Sequence, residues 1–75
     1  MKLTEQQIKM MQEDMYVQLI ELLIKRHGVT MDTAITMFYN SDTYDRLADK
    51  NTGLYFQSPG YVYSYLNDEI TRGKF

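Results

Sequence analysis

Apolar side chains recur at three- and four-residue spacing early in the chain, at Ile8, Met11, Met15, Leu19 and Leu22. That period is helical, and the five positions share a face roughly 80° wide at about 100° per residue. Thr4 followed by Gln7 has the form of a capping box, and Glu5 suits the positive end of the helix dipole. Lys25, Arg26 and His27 complement the other end. Gly28 can take the left-handed position that stops a helix, with Val29 making the apolar contact after it. The pattern predicts a helix from Thr4 to His27, about 36 Å long at roughly 1.5 Å per residue.

The same reading predicts three shorter helices. Thr30 caps a second, with Asp32 in its first turn and Met31, Ala34, Ile35 and Phe38 facing inward. Asn40-Ser41-Asp42 ends it and caps a short third helix carrying Tyr44, Leu47 and Ala48. Asn51-Thr52-Gly53 is a turn, and Leu54-Tyr55-Phe56 reads as an extended segment tucked into the core. Ser58-Pro59 starts the last helix, because proline in the first turn forfeits no intrahelical hydrogen bond. Its inward stripe is Val62, Tyr65, Leu66 and Ile70, and Gly73 can close it. The expected fold is all-α, a single domain over residues 1–75: a small bundle of three to four helices with a long N-terminal helix.

The first helix carries a second apolar set, Met10, Val17, Ile20 and Ile24, nearly opposite the first. Three of these are seven apart, a heptad-like seam interrupted by Glu13. A helix apolar on two sides is buried on two sides or leaves a patch exposed. The expected interface is therefore Met10, Tyr16, Val17, Ile20 and Ile24. Antiparallel pairing of two copies would set Glu13 and Asp14 of one helix near Lys25 and Arg26 of the other.

Composition narrows the chemistry. The chain has 75 residues, no Cys, one His and a formal net charge of −2. Thiolate nucleophiles, disulfides and a multi-His zinc site are excluded within one chain. The acidic balance argues against a protein held to nucleic acid or a membrane surface by a basic field. The N-terminus turns polar after Lys2, which does not fit a secretory signal, and the longest apolar stretch is broken by Glu21. A cytoplasmic location and no membrane partner are expected.

Three groups of side chains merit weighing. Histidine is the one side-chain type that ordinarily titrates near neutrality, yet the place of His27 in a last helical turn already accounts for it. Asp42, Asp45 and Asp49 could share a helix face, but Arg46 and Lys50 beside them favour a solvated mixed-charge surface over a cation site. Tyr61 and Tyr65 share a face that Tyr63 leaves. No Lys or Arg lies between Asn51 and Thr71 to make these rings a base-stacking platform. No catalytic residue, metal ligand or cofactor is expected.

The stretch from Thr30 to Ile70 resembles a family of small uncharacterised helical proteins of bacterial genomes. The residues that carry the resemblance are Phe38-Tyr39-Asn40-Ser41, Tyr44-Asp45-Arg46-Leu47, Thr52-Gly53-Leu54-Tyr55 and Ser58-Pro59-Gly60-Tyr61-Val62-Tyr63. The resemblance implies an accessory protein, in some relatives one of a toxin–antitoxin-like pair, and no catalytic residues. The expected function is a non-enzymatic protein–protein interaction module, a homodimer or the partner of another small protein. The alternative is an antitoxin-like or transcriptional regulator that touches DNA as an oligomer through Lys9, Lys25 and Arg26.

Overall fold

In the computed structural model, which describes residues 3–73, Thr4 caps α1 (Glu5–His27) through a reciprocal box. The Thr4 hydroxyl accepts the Gln7 N–H at 3.1 Å, and Gln7 Oε1 accepts the Thr4 N–H at 2.8 Å. At the far end Gly28 sits at φ 64°, a left-handed turn that L side chains rarely adopt, and its N–H bonds the Ile24 carbonyl. The chain reverses into α2 (Met31–Tyr39), then α3 (Asp42–Ala48) and, after two 3-10 turns, α4 (Pro59–Thr71). Thr30, Ser41 and Ser58 cap these helices by accepting the N–H groups of Thr33, Tyr44 and Tyr61. The fold is an all-α bundle, with no strand among the described residues. The molecule is 39 Å long, 20 Å and 18 Å across, so α1 is its spine.

One core joins all four helices. Met15, Leu19 and Leu23 of α1 meet Ala34 and Phe38 of α2, Leu47 of α3, and Val62, Tyr63 and Leu66 of α4. Tyr16 links three helices: its ring centroid lies 5.4 Å from those of both Phe38 and Tyr44. Glu69 of α4 clamps the start of α3. Its carboxylate accepts the Asp42 N–H at 2.8 Å, the Thr43 N–H at 2.7 Å, and the Thr43 hydroxyl. Gln12 does the corresponding job at the other end, donating Nε2 to the Leu47 and Ala48 carbonyls. Both ends of this seven-residue helix are thus held by side chains from elsewhere.

Three expectations need correction, and one buried residue lies outside both predicted stripes of α1. Met31 and Ile35 are exposed: Ile35 lies about 80° round from the centre of the Ala34–Phe38 face, and Met31 is the first residue of α2, at the chain reversal. On α4 the buried tyrosine is Tyr63, not Tyr65: Val62 and Leu66 centre that face, and Tyr63 and Ile70 extend it on one side only. Leu54–Phe56 is a 3-10 turn rather than an extended segment. Gly53 at φ 69° turns the chain there, so Leu54 and Tyr55 pack inward while Phe56 is exposed. Finally, Leu23 is fully buried although it belongs to neither apolar stripe of α1.

Candidate functional site

Leu23 explains how α1 handles its two apolar sides. On the wheel it falls between them, so Met11, Met15, Leu19, Leu23, Tyr16, Ile20 and Ile24 form one arc about 220° wide. The bundle covers most of that arc. Tyr16, Ile20 and Ile24 pack half-buried against the core. Met10 and Val17 do not, and stay 62% and 55% exposed. The expected interface set therefore divides: three of its members already support the monomer, and two remain free.

Helix α2 adds what the seam loses. Met31, Ile35 and Tyr39 stand four residues apart and are all exposed. Tyr39 touches the α1 seam, its ring centroid 6.3 Å from that of Tyr16. Met10, Val17, Met31, Ile35 and Tyr39 thus leave apolar surface on α1 and α2 together. Acidic residues edge it. Glu13 and Glu21 are exposed and lie four residues either side of Val17, and exposed Asp32 follows Met31. Arg26, expected to pair with acids across a dimer seam, is instead over the ring of Tyr63, its Cζ 5.5 Å from the centroid.

A second concave surface lies between α1 and α4, a groove of about 560 Å³. Lys25 and Arg26 enter it from α1; Gly60, Tyr63 and Asn67 enter it from α4. Tyr63 is only 6% exposed, and its hydroxyl has no hydrogen-bond partner among the described residues. Burial pushes that phenol above its usual range, and the Arg26 charge pulls it partly back. His27 ties α1 to α4 through Asn67 of the groove: its Nε2 donates to Asn67 Oδ1 at 2.9 Å. Sequence reasoning had given His27 only a dipole role and had not joined α1 to α4 here.

The remaining candidates separate. Asp42 and Asp45 are exposed on α3, while Asp49 ends that helix and its Oδ1 accepts the Asn51 N–H at 3.0 Å. No group of three His, Cys, Asp or Glu side chains among the described residues could hold a metal ion. Tyr61 and Tyr65 pair with each other, ring centroids 5.3 Å apart and hydroxyls 2.9 Å apart. Lys9 lines a groove with Glu5 and Lys50, whereas Lys25 and Arg26 line the one against α4. Sixteen residues of helix, about 24 Å at 1.5 Å per residue, separate Lys9 from Lys25, so the three cations do not form one basic face. No helix among the described residues is long and apolar enough to cross a membrane. The chain matches no family model, no curated protein and no solved structure, so its function has to be read from geometry.

Proposed function

We propose that this protein is a non-enzymatic interaction module, and that its docking surface is the acid-edged apolar face of α1 and α2. The observation that carries the reading is the exposure of Met10, Val17, Met31, Ile35 and Tyr39 on two helices that pack together. An apolar face left outside the core of so small a protein is costly unless something covers it. The occupant is a cationic amphipathic helix of a partner protein, laid along the face by its apolar side. Glu13, Val17 and Glu21 lie along one line, so an opposing Lys or Arg finds a carboxylate on each side of the central valine. A second copy of this chain is the poorer occupant. Antiparallel pairing centred on Val17 brings Glu13 of one copy to Glu21 of the other, and parallel pairing brings like residues together. Arg26 projects from the opposite side of α1, over Tyr63, and does not relieve either arrangement.

The test uses two synthetic helical peptides of equal length, one with alternating Leu and Lys faces and one with Leu and Glu. The Lys peptide is expected to bind with micromolar affinity and to shift the amides of Val17 and Ile35. Val17→Glu is expected to weaken it at least tenfold while leaving helicity unchanged. Equal binding of both peptides, or binding indifferent to Val17→Glu, overturns the docking face. A stable dimer by light scattering that Val17→Glu dissociates would make the occupant a second copy instead.

A further inference from the structure

We infer that the α1–α2 docking face contains a subsite for one arginine side chain of the partner helix, at Tyr16, Tyr39 and Tyr44 beside Glu13, an assignment that rests on the docking reading itself. Tyr16, Phe38, Tyr39 and Tyr44 come from three helices and touch one another: all six pairs of ring centroids lie 4.8–6.3 Å apart. Phe38 is buried, Tyr16 and Tyr44 are half-buried, and Tyr39 is 46% exposed. Rings packed this closely fill their own centre, so the cluster is no cage for a quaternary ammonium group. A ligand has to lie on the outside, against the ring surface that meets water.

Three observations make this spot attractive to a cation. Glu13 is exposed, stands three residues before Tyr16 on α1 and lines the same surface hollow as that ring. Lys9 shares the hollow, yet Glu13 has no cation within salt-bridge distance among the described residues, whose ion pairs are Lys50–Glu5 and Arg72–Asp68. Next, α2 ends at Tyr39 with no basic residue in its last turn, which leaves the negative end of its dipole uncompensated. Lastly, none of the four rings carries a cation among the described residues; the cation that does sit over a ring is Arg26, on Tyr63. Arg46 lines a different pocket, with Leu54 and Tyr65. The Tyr16 phenol registers the same field: burial above all, then Tyr44, Tyr39 and Glu13, hold it above its usual range by disfavouring a further negative charge. The subsite thus asks for one group that meets an aromatic surface and a carboxylate at once. A guanidinium does both, being planar, able to lie against a ring, and equipped with paired N–H donors for an acid. An ammonium is a compact, strongly hydrated charge and gains less from the rings.

The experiment titrates the full chain with the Leu/Lys peptide and with a copy that carries Arg at every Lys, read by NMR at the amides and the tyrosine ring protons. The Arg peptide is expected to bind about fivefold tighter and to shift the ring protons of Tyr39 and Tyr44. Tyr39→Leu and Glu13→Gln, both at exposed positions, are each expected to bring that preference below about twofold with helicity unchanged. Equal affinity of the two peptides, both still weakened by Val17→Glu, overturns the subsite and leaves the docking face standing. A preference for Arg that survives both Tyr39→Leu and Glu13→Gln overturns it as well. If neither peptide binds, the docking face falls, and N-acetyl-arginine amide decides the subsite. Saturable shifts at Tyr39 and Tyr44 that N-acetyl-lysine amide does not match uphold it; their absence overturns it.

Discussion

Tyr63 carries two opposed contributions to stability in one side chain. Its ring belongs to the core, yet its hydroxyl is buried without a partner. An unsatisfied buried donor costs about 1–3 kcal/mol. Tyr63→Phe is therefore expected to stabilise the fold by about 1 kcal/mol, read as a rise in the urea midpoint with an unchanged slope. A destabilised variant would mean that the hydroxyl already has an acceptor. Glu69 is the opposite case. It satisfies two N–H groups and a hydroxyl at the start of α3, beside the packing of Tyr44 on Tyr16. Charged hydrogen bonds contribute about 1.5–3 kcal/mol each, so Glu69→Ala is expected to cost roughly 2–3 kcal/mol in denaturant unfolding. Glu69→Gln keeps one acceptor and is expected to recover part of that loss.

Among the elements, α1 decides how the rest is arranged. Its apolar arc is wide enough to carry α2 on one side and α4 on the other, with Leu23 at the join. Leu23→Ala is expected to cost 2–5 kcal/mol, roughly the range of large-to-small core changes. Val17→Glu should change stability by no more than about 0.5 kcal/mol, as surface substitutions do. Similar losses from both would place Val17 inside a packed interface. Helix starts and stops were legible in the sequence because they depend on local chemistry: Thr4 with Gln7, Gly28, Ser58 with Pro59. Which side of each short helix turns inward was less so. Met31 and Tyr65 are as apolar as their buried neighbours, and only the position of the partner helix decides between them. The division of the α1 seam follows the same logic. Met10, Val17, Ile20 and Ile24 read as one stripe, yet the core takes in Ile20 and Ile24 and leaves Met10 and Val17 exposed. Links such as Glu69 to Thr43 and His27 to Asn67 join residues 26 and 40 positions apart, and no local pattern announces them. For the groove, the visible signals were two adjacent cations and a glycine beside Ser58-Pro59, which gain meaning only when α4 lies against α1.

For the whole molecule, three tyrosines set an alkaline limit. Tyr16, Tyr61 and Tyr63 all titrate above the ordinary value of 10.0. Burial does this for Tyr16, with the neighbouring Tyr44, Tyr39 and Glu13 adding to it. The hydrogen bond to Tyr65 does it for Tyr61, and burial for Tyr63. The unfolded chain then releases these protons first. Stability is whole below the unfolded pKa of about 10 and falls as pH rises through the raised folded values. Denaturant midpoints are expected to be level from about pH 7 to 9 and to decline above pH 10, less steeply in Tyr63→Phe. The bond between His27 and Asn67 has a consequence in time rather than in energy. It closes a loop of 40 residues, whereas α1 and α2 meet across the turn Gly28–Thr30. Loop-closure entropy favours the short connection first, so the α1–α2 hairpin forms early and α4 docks late. In stopped-flow kinetics Asn67→Ala is expected to speed unfolding and leave the refolding rate unchanged, while Leu23→Ala slows refolding. The α1–α4 groove is then the last surface of the molecule to be assembled and the first to be lost, and anything bound in it acts as a brake on unfolding.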